Sequence, residues 1–130
     1  MRKPKIQMII TKEDSGYSAN ATISKTFIAT EAESFEELQQ KILEAVNFTF
    51  EEQGHLYSQE EILYQYDLRS FFDFYKVINI KALSERIGMN QSLLSQYISG
   101  IKKPSTAQTR RILQGVQQIG RELSEVRFLL

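Results

Sequence analysis

The chain has 130 residues, which is enough for one ordinary domain or two very small ones. Its hydrophobic fraction of 42% and charged fraction of 25% are typical of a folded globular protein and exclude a disordered one. Cysteine is absent and His55 is the single histidine, which excludes disulfides and thiolate chemistry and leaves little for a metal or proton-relay site. We therefore expect a cytoplasmic, non-enzymatic protein without cofactor or metal, and the lack of a long apolar run predicts no membrane partner.

The formal net charge is zero, but the charges are unevenly distributed along the chain. Residues 1–67 hold six basic and twelve acidic side chains, whereas residues 68–130 hold ten basic and four acidic ones. This asymmetry predicts two modules with different partners, an acidic one at residues 1–68 and a basic one at residues 69–130. The basic module is a candidate for phosphate contact, and a solvated basic face without a partner is the alternative.

The acidic module is predicted to contain a small sheet. Apolar residues alternate over 6–10 and again over 17–23, and these two strands flank a turn that contains Gly16. Further strands are expected over 26–30 and 62–68. With the helix described next, the order becomes β-β-β-α-β.

The helix of the acidic module is predicted to begin at Ser34. Ser34 and Glu37 have the spacing of a capping box, and Gly54 offers a stop. The glutamates of this helix lie mainly opposite its apolar stripe, where a solvated face belongs, and His55 follows Gly54 in a loop. We therefore expect no catalysis here.

Six of the fourteen aromatic residues fall between Tyr64 and Tyr75. We interpret them as core or subunit interface that joins the first helix of the basic module, capped by Ser70 and Asp73, to its neighbours. A stacking platform for single-stranded bases is the alternative.

The basic module is predicted to contain two short helices joined by a glycine turn, which is typical of a helix-turn-helix. The first spans about 80–87, the turn is Gly88 to Asn90, and the second ends at Gly100. A last helix follows Ser105 and is expected to bury a stripe formed by Leu113, Val116, Ile119 and Leu123. A generic small helical bundle is the alternative.

The second helix has an uncharged polar face, made of Gln91, Ser92, Ser95, Gln96 and Ser99. A solvated helix face normally carries Glu and Lys, whereas amides and hydroxyls can enter a DNA groove, where glutamine bonds adenine through two hydrogen bonds. No acidic residue occurs between Glu85 and Glu122, and the face is flanked by Lys102, Lys103, Arg110 and Arg111. An uncharged face flanked by basic residues predicts DNA recognition, because phosphate contacts position a protein and base contacts specify the sequence.

Residues 83–100, Leu-Ser-Glu-Arg-Ile-Gly-Met-Asn-Gln-Ser-Leu-Leu-Ser-Gln-Tyr-Ile-Ser-Gly, resemble the helix-turn-helix of the Cro/lambda-repressor class. The Lys-Lys-Pro-Ser that follows also fits, while Ser84 stands where the class usually has alanine. The resemblance implies that Gln91, Ser92 and Gln96 face bases and that Asn90, Ser95, Lys102 and Lys103 contact phosphates.

The β-β-β-α-β unit joined to this motif resembles the HicB antitoxins, whose partial RNase H-like domain binds the RNA-cleaving HicA toxin. The helix-opening Ser-Phe-Glu-Glu-Leu segment agrees, whereas the Pro-rich segment common between the second and third HicB strands is replaced by 21–28. The resemblance implies a non-catalytic antitoxin that also binds operator DNA and represses its own operon. An acidic module is complementary to a basic RNA-binding toxin.

The sequence thus predicts an α+β protein that assembles at least as a homodimer, since a two-fold dimer reads paired half-sites. The apolar segment Val126–Leu130 is expected to dock as a strand or to pack at the dimer interface. Two other functions remain open: a transcription regulator whose first module senses a ligand or only dimerises, and a remnant nuclease that uses RNase H-like carboxylates.

Overall fold

The computed structural model describes residues 2–130 and is an α+β protein of two compact units. The first unit ends at Asp73 and the second spans Phe74–Leu130. The described elements follow the predicted order, a β-β-β-α-β unit and then helices. In chain order they are β1 (Ile6–Lys12), β2 (Tyr17–Ile23), β3 (Thr26–Ala32), α1 (Phe35–Phe50), β4 (Ile62–Tyr66), α2 (Leu68–Phe74), α3 (Ile80–Ile87), α4 (Gln91–Ser99) and α5 (Thr106–Ser124).

The four strands form one sheet in the order β3-β2-β1-β4. β2 pairs antiparallel with both β1 and β3, whereas β4 pairs parallel with β1, with Ile6 opposite Ile62. The chain reaches β4, the parallel neighbour of β1, only after β2, β3 and α1. α1 contacts β3 and β2 and makes part of this connection between parallel strands. The core of the first unit is built from alternate residues of β1 and one stripe of α1, including Ile6, Met8, Ile10, Leu38, Ile42 and Val46, all fully buried.

The hairpin between β2 and β3 turns through two left-handed residues. Ser24 has a φ of 50° and Lys25 a φ of 71°, which is the backbone of a tight two-residue hairpin turn. The third strand extends to Ala32, two residues beyond the predicted 26–30, because Ala32 pairs with Tyr17. In the other hairpin, between β1 and β2, a Cβ on Gly16 would lie 2.4 Å from the carbonyl oxygen of Ala32, so that turn requires glycine.

The predicted start and stop of α1 are present in the structure. The Ser34 hydroxyl oxygen accepts a hydrogen bond of 3.1 Å from the amide of Glu37. The Glu37 carboxylate pairs with the Lys41 ammonium at 3.3 Å rather than with the Ser34 amide, so only the Ser34 half of the predicted capping box is present. After Phe50 a short 3₁₀ turn leads to Gly54, whose φ of 77° ends the helical segment.

α2 begins earlier than predicted and is held by the first unit. Its cap is Asp67, which accepts a hydrogen bond of 2.8 Å from the Ser70 amide, so the predicted Ser70–Asp73 cap is wrong. Ser70 is buried instead, and its hydroxyl accepts a 2.7 Å bond from the backbone amide of Lys12. The division between the units therefore falls after Asp73 rather than after Leu68.

In the second unit, α3 packs against both α4 and α5 around Leu83, Leu94 and Ile112. The predicted stripe of α5 is wrong for its two leucines. Leu113 is 51% exposed and Leu123 is 65% exposed, and Val116 and Ile119 are half-buried. The buried residue of α5 is Ile112, which the predicted stripe did not include.

Gly115 explains which side of α5 is buried. A Cβ on Gly115 would lie 2.4 Å from Cγ2 of Ile87 and 3.3 Å from Cδ1 of Leu83, so α3 approaches α5 at this residue. The buried face is therefore centred on Ile112 and Gly115. Val126–Leu130 has no regular structure and is exposed, so the segment does not form the docked strand that was one of its two expected states.

Within residues 2–130, no helix combines the length and apolar content that a membrane crossing requires.

Candidate nucleic-acid interface

The turn between α3 and α4 has a tightly bonded backbone. Gly88 ends α3 with a φ of 67°, and the amide of Met89 donates a 2.9 Å hydrogen bond to the carbonyl of Ser84. This pattern is that of a Schellman motif, which satisfies the last carbonyls of a helix. Ser84 is itself buried, as expected of a small residue at this position, and its hydroxyl donates to the Lys81 carbonyl at 2.6 Å.

Asn90 is the N-cap of α4. Its Oδ1 accepts hydrogen bonds from the amides of Ser92, at 2.8 Å, and Leu93, at 3.2 Å. The side-chain oxygen of Asn90 and these two amides are therefore used within the helix, which leaves the exposed Nδ2 of Asn90 as its donor for an external acceptor. The predicted contact of Asn90 with a phosphate would therefore be made by its Nδ2.

The polar residues of α4 lie on its solvent side. Gln91, Ser92, Ser95 and Ser99 are exposed, whereas Leu94 on the opposite side is fully buried. At helical spacing the three serines occupy the centre of this face and the glutamines occupy its edges. Gln91 and its three exposed serine neighbours form what we call the α4 outer face.

Gln96 departs from this pattern, since it is half-buried at the edge of the outer face. Its backbone carbonyl accepts a 3.2 Å hydrogen bond from the backbone amide of Lys102 and a 3.3 Å hydrogen bond from the Ser99 hydroxyl. Ile101 lies one helical turn beyond Ile98 in the sequence but is 74% exposed, because α4 ends at Ser99 and Gly100 redirects the chain with a φ of 85°.

The basic residues near α4 divide into two groups. Lys102, Lys103 and Arg110 are exposed, and in the described part of the chain their side chains have no ion pair or hydrogen bond. Arg111 was grouped with them by sequence, but its Nη2 donates a 2.9 Å bond to the Gly88 carbonyl. Lys102, Lys103 and Arg110 are therefore available to an external anion, and Arg111 fixes the end of α3.

Arg86 is also used within the unit. Its two terminal nitrogens lie 2.9 Å and 3.0 Å from the two carboxylate oxygens of Glu122, a bidentate pair between α3 and α5. Hydrogen bonding to Arg86, and then to Gln118, lowers the pKa of the Glu122 carboxyl, and the same pair raises the pKa of Arg86. The role of this pair in fixing the two helices was not visible in the sequence, because 36 residues separate its members.

The first unit shows how its aromatic residues are used. The rings of Phe35 and Tyr64 pack edge to face with centroids 6.0 Å apart, and Tyr66 packs on Phe71 at 5.9 Å. Phe72 is buried. These contacts agree with the core interpretation, although they belong to the first unit rather than to a helix of the second.

Other polar residues of the first unit make local contacts. The Lys3 ammonium lies 2.7 Å from a Glu61 carboxylate oxygen, and this hydrogen bond lowers the pKa of Glu61. Burial raises the pKa of Tyr57, whose hydroxyl donates to the Pro4 carbonyl at 2.6 Å. Among residues 2–130 there is no group of three or more His, Asp or Glu side chains placed to share a metal ion.

No protein-family model, curated protein or solved structure matches the chain.

Proposed function

We propose that this protein is a sequence-specific DNA-binding repressor whose α4 enters the major groove, and that its acidic first unit makes it the antitoxin of a HicA-like, RNA-cleaving toxin. The single observation that carries the DNA part is the α4 outer face, which is uncharged and rich in hydrogen-bonding groups. The cytoplasm, where operator DNA and such a toxin meet, is the proposed location.

The placement of charges supports contact with a duplex. Residues 86–121 contain no carboxylate, so nothing in α4 or its flanks repels phosphate. Lys102 and Lys103 follow α4 after Gly100 and Ile101, and Arg110 lies near the start of α5. These three free cations suit sequence-independent phosphate contacts beside a helix that reads bases.

The reading residues differ in their access. Gln91 is exposed at the start of α4, where helices of this kind reach base edges, whereas Gln96 is half-buried. We therefore assign the main base contact to Gln91 and a secondary one to Gln96. Ser92 is assigned to the base edges, and Ser95 and Ser99 to the sugar-phosphate backbone of the DNA.

The reading face can be tested on a DNA site selected from a random library, with binding followed by fluorescence anisotropy. Gln91→Ala is expected to lose on the order of 1–3 kcal/mol at the contacted base pair and to relax preference there. Gln114→Ala, an exposed glutamine on α5, is the matched control and should bind like the parent. If the double variant Gln91→Ala, Gln96→Ala keeps the parent's affinity and preference, α4 does not read the DNA.

The phosphate contacts predict a different response. Lys102→Ala and Lys103→Ala should each weaken binding to all sequences and flatten the salt dependence of log K by about one unit. Lys5→Ala, an exposed lysine of the first unit, should leave the slope unchanged. Unchanged slopes for both Lys102→Ala and Lys103→Ala would contradict the proposed phosphate contacts.

The antitoxin part rests on charge and on the resemblance in element order. Residues 1–73 hold seven basic and thirteen acidic side chains, a net charge of −6, which complements a basic RNA-binding protein. Co-expression with a small basic protein encoded beside this chain tests the pairing. A stable complex that blocks RNA cleavage is expected. DNA binding without any such complex would instead favour a regulator whose first unit senses a ligand or dimerises.

A further inference from the structure

A row of residues along α5 lies beside the face that packs on α3 and is not fully covered by the chain. It consists of Leu113, Val116, Gly120 and Leu123, which we call the α5 row. The two leucines are exposed and Val116 is half-buried, whereas the neighbouring face around Ile112 packs on α3. The second unit therefore has its core and, beside it, a separate apolar surface.

The spacing of the α5 row reads the same in both directions. Its gaps of three, four and three residues are those of a coiled-coil seam. Two copies of α5 that run antiparallel around residue 118 would set Leu113 against the partner's Leu123 and Val116 against the partner's Gly120. Each large side chain then meets either another leucine or a space left by glycine.

Gly120 supports this pairing independently. Glycine weakens a helix interior, yet a Cβ at Gly120 would meet nothing within 4 Å in this chain. Gly115 of the same helix differs, since its missing Cβ lets α3 approach. The absence of a side chain at Gly120 is explained if another helix comes close at that point.

The charges of α5 also favour the antiparallel orientation. Near its end, Arg121 adjoins Glu122, which is already paired with Arg86, whereas Glu125 is exposed and has no side-chain partner among residues 2–130. The register centred on residue 118 sets Glu125 opposite the partner's Arg111, whose guanidinium keeps further donors beside its bond to Gly88. A parallel pair would instead place the two Glu125 carboxylates side by side.

A stable dimer needs more buried area than the α5 row provides, and the exposed residues 126–130 can provide it. A seam of eleven residues, 113–123, covers only part of the roughly 800 Å² per partner of a standard interface. Val126–Leu130 leaves from the end of α5, and Phe128, Leu129 and Leu130 are each more than 80% exposed. In the proposed dimer these side chains would supply the further apolar surface that the interface needs.

We propose that the α5 row is the interface with a second copy of this chain, packed antiparallel with Leu113 opposite the partner's Leu123. Its use in reading paired half-sites rests on the proposed function, whereas the pairing itself does not.

The test is a charge-swap series measured by sedimentation on the full chain without DNA, from about 1 to 100 μM. Leu113→Lys and Leu123→Glu are each expected to raise the dimer dissociation constant at least about tenfold. The double variant should return to near the parent's value, because each lysine then faces the partner's glutamate. Leu56→Lys, at an exposed leucine of the first unit, should dimerise like the parent, and circular dichroism confirms folding of every variant.

A monomeric parent over this range, or single variants that dimerise normally, would overturn the interface. Single variants that fail without rescue in the double variant would overturn the antiparallel register. DNA binding is measured separately, so a failed dimer with intact sequence preference rejects only this inference. A normal dimer that does not bind DNA rejects only the proposed function.

Discussion

The guanidinium of Arg111 donates a hydrogen bond of 2.9 Å to the carbonyl oxygen of Gly88, across 23 residues of sequence. Gly88 is the residue at which α3 ends, so α5 fixes the turn from which α4 departs. We expect Arg111→Met to lower the free energy of unfolding by about 1–2 kcal/mol, since it removes the charged donor and keeps the stem. Urea denaturation measures the change.

Arg110→Met is the matched control for that variant. Arg110 is exposed and has no described side-chain partner, so its replacement should change stability by less than about 0.5 kcal/mol and weaken DNA binding instead. The reverse pattern, a stable Arg111→Met and an unstable Arg110→Met, would contradict the assigned roles.

Gly115→Ala is expected to destabilise the protein although alanine is the better helix former. The new methyl would lie 2.4 Å from Cγ2 of Ile87, and such overpacking costs about 1–3 kcal/mol. Thermal unfolding of the single variants and of Gly115→Ala in an Ile87→Ala background forms a double-mutant cycle. The cost should shrink in that background, and an additive cycle would show that the contact is not the cause.

Lys25→Gly is expected to stabilise the first unit. Lys25 has a φ of 71°, and a left-handed backbone costs an L-residue about 1–2 kcal/mol that glycine avoids. Part of this gain is lost because glycine is more flexible in the unfolded chain. Chemical denaturation should show a higher midpoint, while Lys5→Gly, outside the turn and the sheet, should not raise it.

Glu122→Gln is expected to lower stability near neutral pH and to have no effect in acid. The pKa of Glu122 in the folded protein is lowered from 4.5, chiefly by hydrogen bonding to Arg86. Its stabilising contribution is therefore present above pH 4.5 and is lost as the pH falls through the lower pKa of the folded state. Unfolding curves of parent and variant across this range should converge in acid. In an Arg86→Gln background the substitution should have little effect at any pH.

Local signals predicted most of the fold. The glycines at 88 and 100 and the caps at Ser34, Asn90 and Ser105 mark helix ends by their own chemistry, so the corresponding helices lie where the sequence places them. The strands followed from alternation in the same way.

The differences arise where tertiary contacts decide between local options. The sequence predicts Ser70 as the cap of α2, but Asp67 is the cap in the structure. The Ser70 hydroxyl instead accepts a hydrogen bond from the Lys12 amide, which is distant in sequence. The apolar residues of α5 are spread around more than one side of the helix, so the sequence pattern does not say which side is buried. The approach of α3 at Gly115 buries the side that carries Ile112. In the candidate interface, the outer face of α4 was predictable from residue type, whereas the internal role of Arg111 depends on a long-range contact.

The position of β1 inside the sheet has a consequence for biosynthesis. β1 is synthesised before β4, yet β4 is one of its two neighbours, so Ile6 has no pairing partner until Ile62 has been made. The meander of β1, β2 and β3 can form early, but until β4 emerges from the ribosome the nascent chain exposes an unpaired apolar edge. During this interval the first unit exposes a strand edge that the finished sheet covers, and such an edge favours aggregation.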